Sequence, residues 1–312
     1  MEKVELGRSG IKVTRLGIGA WQAGGKQWGD DVTDENCIAA LKKAHDLGIN
    51  LVDSAEVYGQ GHSEEVVGRA LKEIGREELI VATKVAGSHL RYEDVLKACE
   101  GSLKRLGVDS VDLYQIHWPS VWEQVPLRET MRALEKLYKE GKVRAIGVSN
   151  FAIRDLEEAR SALSSTDIAS NQVQYSMIHR EIEEEVLPYC KKEKITVLAW
   201  APLGEGALTG KYSKSVAPKD SVRERHPFFR PKNIEQINGL VKLLEEVGKQ
   251  HGKSGPQVAL NWLLSKDNVV PIPGAKNPKQ AEENAGAGGW SLSSKEISRL
   301  NQALASLKLE ML

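Results

Sequence analysis

One rhythm restricts the fold of this chain more than any other feature: short apolar runs alternate with amphipathic stretches along nearly its whole length. The runs fall at residues 16–21, 51–53, 79–84, 111–117, 143–148, 168–174, 195–201 and 269–272. Most read as apolar runs rather than alternations, the pattern of strands covered on both faces. Helical stretches lie between them at 33–47, 63–75, 92–106, 127–138, 153–163, 181–192, 234–251, 256–264 and 278–284. Several have end signals: Thr33 can cap the first, and Gly48, Gly107 and Gly141 stand just past helix ends. Eight strands with interleaved helices predict an α/β fold, a (β/α)8 or TIM barrel, over an open sheet. Before the first run, Val4-Glu5-Leu6-Gly7 and Lys12-Val13 flank Arg8-Ser9-Gly10, an N-terminal β-hairpin that would plug or cap the barrel. After the last barrel helix, residues 292–304 read as an appended C-terminal helix. The chain has 312 residues, which admits two domains of about 100–200 residues, but a barrel of this class reaches about 250 as one. No shift in composition marks a boundary, so residues 1–312 are expected to form a single domain.

Composition removes several classes of function. Lys plus Arg and Asp plus Glu both number 43, a formal net charge of zero, which argues against a nucleic-acid partner. Cys37, Cys99 and Cys190 are widely spaced and form no CxxC pair, as expected of free thiols in a reducing cytoplasm. No run approaches the roughly 18 apolar residues of a spanning helix, and the N-terminus has no long apolar stretch. A cytoplasmic protein with no membrane partner is expected. The seven histidines show no HxH spacing, so no metal site is expected.

Asp53, Tyr58, Lys84 and His117 sit at or just past the ends of three of the predicted strands. In a barrel of parallel strands this is the C-terminal face, where active sites are built. A tyrosine titrates near pKa ~10, too high to share its proton readily at neutral pH, and a nearby ammonium favours the phenolate. A carboxylate beside the lysine would orient it, and a histidine beside the tyrosine would donate to a substrate oxygen or relay the proton. Together they suit an oxygen that gains negative charge, such as the one formed when hydride adds to a carbonyl. Taken singly, each has a plainer reading: a salt bridge, a satisfied histidine, a loop anchor.

The stretch from Asp53 through Tyr58-Gly59-Gln60-Gly61-His62-Ser63-Glu64 to Leu71 resembles the first signature of the aldo-keto reductases. So do Thr83-Lys84, the run from Val111 to His117-Trp118-Pro119, and the run from Gly141 to Gly147-Val148-Ser149-Asn150-Phe151. Asn171-Gln172-Val173-Gln174-Tyr175, Trp200-Ala201-Pro202-Leu203 and Pro271-Ile272-Pro273-Gly274-Ala275-Lys276 match as well. The resemblance covers nearly the whole chain in order. It is nearer the short-loop prokaryotic-type branch, related to the potassium-channel β subunits, than the long-loop mammalian aldose reductases.

The resemblance implies an NADPH-dependent reductase of aldehydes and ketones. Tyr58 would be the general acid, Lys84 would lower its pKa, Asp53 would pair with Lys84, and His117 would orient the carbonyl. Ser149, Asn150 and Gln172 would hold the nicotinamide carboxamide, with Trp200 stacked on the ring. Leu203, Glu205 and Gly206, with Lys211 nearby, would grip the pyrophosphate. Gly274, Ala275, Lys276, Gln280, Glu283 and Asn284 would meet the adenosine end. A Rossmann fingerprint is not implied, since Gly17-Ile18-Gly19-Ala20-Trp21-Gln22 breaks the GxGxxG pattern at its last position. Lys276 points to a 2′-phosphate and so to NADPH. Gln280 stands where many NADPH-preferring members carry arginine, which leaves NADH open.

The substrate side is set by aromatic residues near strand ends: Trp21, Trp28, Trp118 and Trp122 would favour small apolar or aromatic carbonyl compounds. The long, aperiodic stretch 203–232 reads as a lid or binding loop, with Arg223, Arg225, His226 and Arg230 facing phosphates or solvent. A second expectation, from another class, is a nucleotide-binding redox sensor or regulatory subunit with slow turnover.

Overall fold

The computed structural model describes residues 1–29, 31–120 and 124–311; Trp122 lies outside the described residues. Strands β1 (Lys3–Glu5) and β2 (Lys12–Thr14) form the expected antiparallel hairpin, with Val4 opposite Val13. The next eight are parallel: β3 (Ile18–Gly19), β4 (Leu51–Asp53), β5 (Ile80–Val85), β6 (Leu113–Ile116), β7 (Ile146–Ser149), β8 (Ile168–Gln174), β9 (Thr196–Trp200) and β10 (Val269–Pro271). Each pairs with its neighbour in chain order. The ladder closes on itself, because Gly17 N donates to Pro271 O and Gly19 N donates to Pro273 O, both at 3.0 Å. Gly19 and Gly274 complete the seam as an isolated parallel bridge. The expected (β/α)8 barrel is therefore the fold.

Among the described residues, ten α-helices surround it: α1 (Asp34–Asp46), α2 (His62–Ile74), α3 (Tyr92–Leu106), α4 (Leu127–Lys139), α5 (Ile153–Ser161), α6 (Val186–Lys192), α7 (Pro231–His251), α8 (Gly255–Leu264), α9 (Pro278–Ala285) and α10 (Ser294–Ser306). The cap at Thr33 forms as expected, its side chain accepting from Asn36 N. α10 packs on α7 as the appended C-terminal helix.

Three local expectations change. The helix expected over 181–192 is a single 3₁₀ turn at Glu181–Glu183 followed by α6. Pro188 has no N–H to donate and is tolerated in the first turn of a helix but not in its interior, so α6 begins just before it. The helix expected to open at Ser63 opens at His62, with Gly61 as its cap. The Ser63 hydroxyl is instead buried, donating to Ala20 O at 2.7 Å and lying 2.9 Å from Ser54 Oγ. The first barrel strand is shorter than 16–21, since Trp21–Gly24 turns away as a 3₁₀ helix.

The core has two parts. A large apolar layer fills the space between sheet and helices. A smaller one fills the barrel, where Leu6, Ile11 and Val13 of the hairpin region pack with Leu51, Leu113, Leu198 and Val270. The hairpin thus corks the amino end of the barrel and leaves the carboxyl end to the polar residues.

Candidate active site

At the carboxyl end, β4 ends in Asp53, β5 carries Lys84 and β6 leads into His117. The Lys84 side chain is 0% exposed and that of Asp53 2%. Such burial is costly for a charge unless every hydrogen-bonding position is met. Lys84 Nζ donates to Asp53 Oδ2 and Ser54 O, both at 2.7 Å, and to Tyr58 Oη at 3.1 Å. Asp53 Oδ1 accepts from Gln172 Nε2 at 2.8 Å and Gln115 Nε2 at 3.2 Å. Ammonium and carboxylate therefore sit in a satisfied network with the tyrosine hydroxyl at its edge.

Tyr58 is placed by a contact between two loops. Gly59 has φ 59°, and a Cβ there would stand 2.1 Å from Gly24 O. A Cβ on Gly24 would stand 2.9 Å from Gly59 N. With neither present, the loop after β3 lies directly on the loop after β4, and Trp21 stacks on Tyr58 at 5.8 Å between ring centroids. Trp28 meets Trp21 edge-on at 4.7 Å. On another side of Tyr58, the His117 ring stands edge-on at 5.6 Å.

The electrostatics correct one expectation. Lys84 does act to lower the Tyr58 pKa, but burial, assisted by the Asp53 charge, outweighs it and the tyrosine is raised above its ordinary value. Burial alone would lower Lys84, yet Asp53 and Tyr58 reverse this and raise it, so it stays an ammonium. Burial, then the Lys84 charge, push His117 down to about 3, leaving a neutral imidazole through the physiological range.

A second group lies beside the first. Asn150 adopts a left-handed conformation (φ 62°), one that asparagine tolerates better than most residues. Its Nδ2 donates to His117 O and Ser149 Oγ, both at 3.0 Å, and its Oδ1 accepts from Trp200 Nε1 at 3.1 Å. Ser149 Oγ donates to Gln172 O at 2.7 Å. The Trp200 indole is thus held by a hydrogen bond at its edge while its ring lines the cavity.

The cavity above these residues has a volume of about 1150 Å³. Its wall includes Asp53, Tyr58, His117, Ser149, Asn150, Gln172 and Trp200 at the floor, and Trp21, Trp28 and Trp118 beside them. Farther along it are Leu203, Glu205, Gly206 and Lys211, then Gly274, Lys276, Gln280, Glu283 and Asn284. Two residues of the expected set do not reach it. Lys84 is buried behind Tyr58, and Ala275 points into the apolar core, since neighbouring residues of an extended segment face opposite ways.

Glu205, held at φ 55°, is buried and pushed up to about 7, by burial first, with Asp220 adding to the effect and Arg223 opposing it. In the stretch 222–230, Arg223 lines the cavity, bound to Asp220 at 2.6 Å and lying over the rings of Trp28 and Tyr212, 5.4 Å from each. Sequence reasoning passed over Gln115, Ser54 and Asp31. A polar residue inside the apolar run Leu113–Ile116 was the available signal for Gln115. Ser54 acts through its backbone, and nothing local marks Asp31. Among the described residues, no three His, Cys, Asp or Glu side chains converge to hold a metal ion, and no helix is long and apolar enough to cross a membrane.

A barrel with this constellation at its carboxyl end defines a class, and comparison with known proteins agrees with it. The profile of the aldo/keto reductase family matches residues 15–305, and the chain belongs to that family of oxidoreductases. It is 38% identical to aldo-keto reductase YhdN of Bacillus subtilis (strain 168), over 97% of this chain and 94% of that one. It is 32% identical to the NADH-specific methylglyoxal reductase of Escherichia coli (strain K12), over 99% of this chain and 100% of that one. An aldo-keto reductase from Klebsiella pneumoniae, solved in complex with NADPH, superposes with a TM-score of 0.79 at 29% identity, covering 100% of both chains.

Proposed function

We propose that this protein reduces small aldehydes and ketones to alcohols with NADPH, NADH serving as a second nucleotide, and that Tyr58 is the general acid. The observation that carries the reading is the buried Lys84 ammonium, 3.1 Å from Tyr58 Oη and 2.7 Å from Asp53. The cavity fits a dinucleotide with a small substrate: about 1150 Å³, lined by the amides of Asn150 and Gln172, by Trp200, and by Lys211 and Lys276. Gln22 Oε1, Trp28 Nε1 and Glu205 Oε2 belong to residues of its wall and are buried without a hydrogen-bond partner. Ser149, Asn150 and Gln172 would hold the carboxamide and Trp200 the ring face. Leu203, Glu205, Gly206 and Lys211 would hold the pyrophosphate, and Glu205 near neutrality would do so without a full opposing charge.

When bound, the reduced nicotinamide supplies a hydride to the carbonyl carbon. The carbonyl π pair then moves onto oxygen, and Tyr58 gives that oxygen its phenolic proton. The neutral His117 donates an N–H to the same oxygen and fixes its position. Lys84, held by Asp53, Gln115 and Gln172, stabilises the phenolate left on Tyr58. Trp21, Trp28 and Trp118 in the cavity wall favour apolar and aromatic carbonyl compounds, and three buried free cysteines support a cytoplasmic setting.

Nucleotide oxidation with a panel of aromatic and aliphatic aldehydes tests the proposal. Tyr58→Phe is expected to lower turnover by about 10²–10⁴-fold with nucleotide binding retained; unchanged turnover in this variant would refute the assignment. A second reading, tight nucleotide binding with slow turnover in a sensor, is supported by contacts between the two loops at the cavity, Ser221 Oγ to Gln27 O at 3.4 Å and Arg223 over Trp28. Tight binding with no turnover on any aldehyde would favour it.

A further inference from the structure

The loop after β3 and the segment after β10 are joined by one side chain. Lys276 Nζ donates to Trp28 O and, at 3.2 Å, to Asp31 Oδ1. The lysine is 13% exposed at its side chain and the aspartate 71%. Gln280 Oε1 accepts from Lys276 N at 2.9 Å. Lys276, expected to meet a 2′-phosphate, and Gln280, which stands where arginine is common, are thus already engaged within the protein. Gly29 allows the ion pair to form: it has φ 120°, and a Cβ there would stand 2.7 Å from Asp31 Oδ1 and 3.4 Å from Lys276 Nζ.

We infer that Asp31 is a specificity-determining residue for the nucleotide, its carboxylate competing with a 2′-phosphate for Lys276 and shifting preference toward a nucleotide with a bare 2′-hydroxyl. The inference rests on the nucleotide reading above. A phosphate brought to Lys276 either displaces the carboxylate or sits beside it as a like charge, and each weakens binding. A ribose hydroxyl meets no such opposition, because it can donate to the carboxylate. Trp28 widens the consequence. Its carbonyl holds Lys276 while its ring packs on Trp21, which stacks on Tyr58, so nucleotide choice and the tryptophan wall share one loop. The aspartate is well exposed, and solvent screening keeps the effect modest.

The test is equilibrium binding, read by quenching of tryptophan fluorescence, of NADPH, NADH and adenosine 2′,5′-bisphosphate. The last carries the phosphate but no nicotinamide, so it reports on this end of the cavity apart from turnover. Asp31→Asn is expected to tighten NADPH and the bisphosphate by about fivefold, to leave NADH within about twofold, and to lose this difference as salt is raised. Lys276→Met should weaken the two ligands that carry a 2′-phosphate, and adding Asp31→Asn to it should recover less than Asp31→Asn gains in the wild-type background. An unchanged ratio of NADPH to NADH binding in Asp31→Asn would overturn the inference while leaving the proposed function standing. Binding of neither nucleotide by the wild type would overturn both.

Discussion

Replacing Lys84 by methionine separates what the buried charge does for stability from what it does for Tyr58. Methionine nearly matches the lysine stem in volume, so the cavity contribution is small and the electrostatic one dominates. The substitution removes three donated hydrogen bonds, to Asp53, Ser54 and Tyr58. It strands a carboxylate that is 2% exposed, with only the amides of Gln115 and Gln172 left to it. Breaking a buried pair in this way costs about 3–5 kcal/mol. For a chain of this size that is a melting decrease of roughly 5–8 °C. Removing the partner charge as well, in Lys84→Met/Asp53→Asn, should recover about half of the loss, because neutral groups are cheaper to bury than a lone carboxylate. Turnover should not recover, since Tyr58 still lacks its cation, and should stay at least about a hundredfold down in both variants. Calorimetry with parallel turnover measurements reads all of this. A single variant melting within about 2 °C of wild type, or a double variant no more stable than the single, would refute the charge-pair argument.

Two further predictions concern other buried polar groups. Asp112, 0% exposed, accepts from Arg76 Nη2 and Val81 N at 2.8 Å and from Arg144 Nη1 at 2.5 Å, and Asp112→Ala should cost about 2–4 kcal/mol in urea unfolding, with under about 1 counting against the reading. His117 is lowered from 6.5 to about 3, so between those values the unfolded chain binds a proton that the folded one refuses. Stability should therefore fall as the pH drops through that window, by at most about 1.4 kcal/mol per unit from this residue. His117→Asn should flatten the slope, and an equally steep slope in the variant would exclude His117 as its source.

What could be read from the chain before the structure followed from local rules. The helix Tyr92–Leu106 appears with the expected bounds, because an amphipathic period closed by a glycine just past the last turn is a local signal, and the strand at 168–174 has its expected bounds as well. Asp53, Lys84 and His117 were legible because polar groups ending apolar strands stand out. What was not legible depends on distant pairs. Trp21 over Tyr58 requires Gly24 against Gly59, residues 35 positions apart. The engagement of Lys276 requires Asp31, 245 positions away. The direction of the Tyr58 shift is a contest between burial and the Lys84 charge, and only the depth of the site decides it.

The hairpin that corks the barrel has a consequence for traffic. With Leu6, Ile11 and Val13 filling the amino end, ligands come and go by the carboxyl end, where the large cavity of the described residues opens. On the proposed reading, two ligands stacked in this cavity would form a queue: a nicotinamide against Trp200 and Asn150 is expected to arrive before a carbonyl compound near Tyr58 and His117, and to leave after it. The pace of the whole cycle can then be set by a departure rather than by chemistry, and a molecule lodged at the rim would imprison its neighbour below without touching the binding groups that hold it.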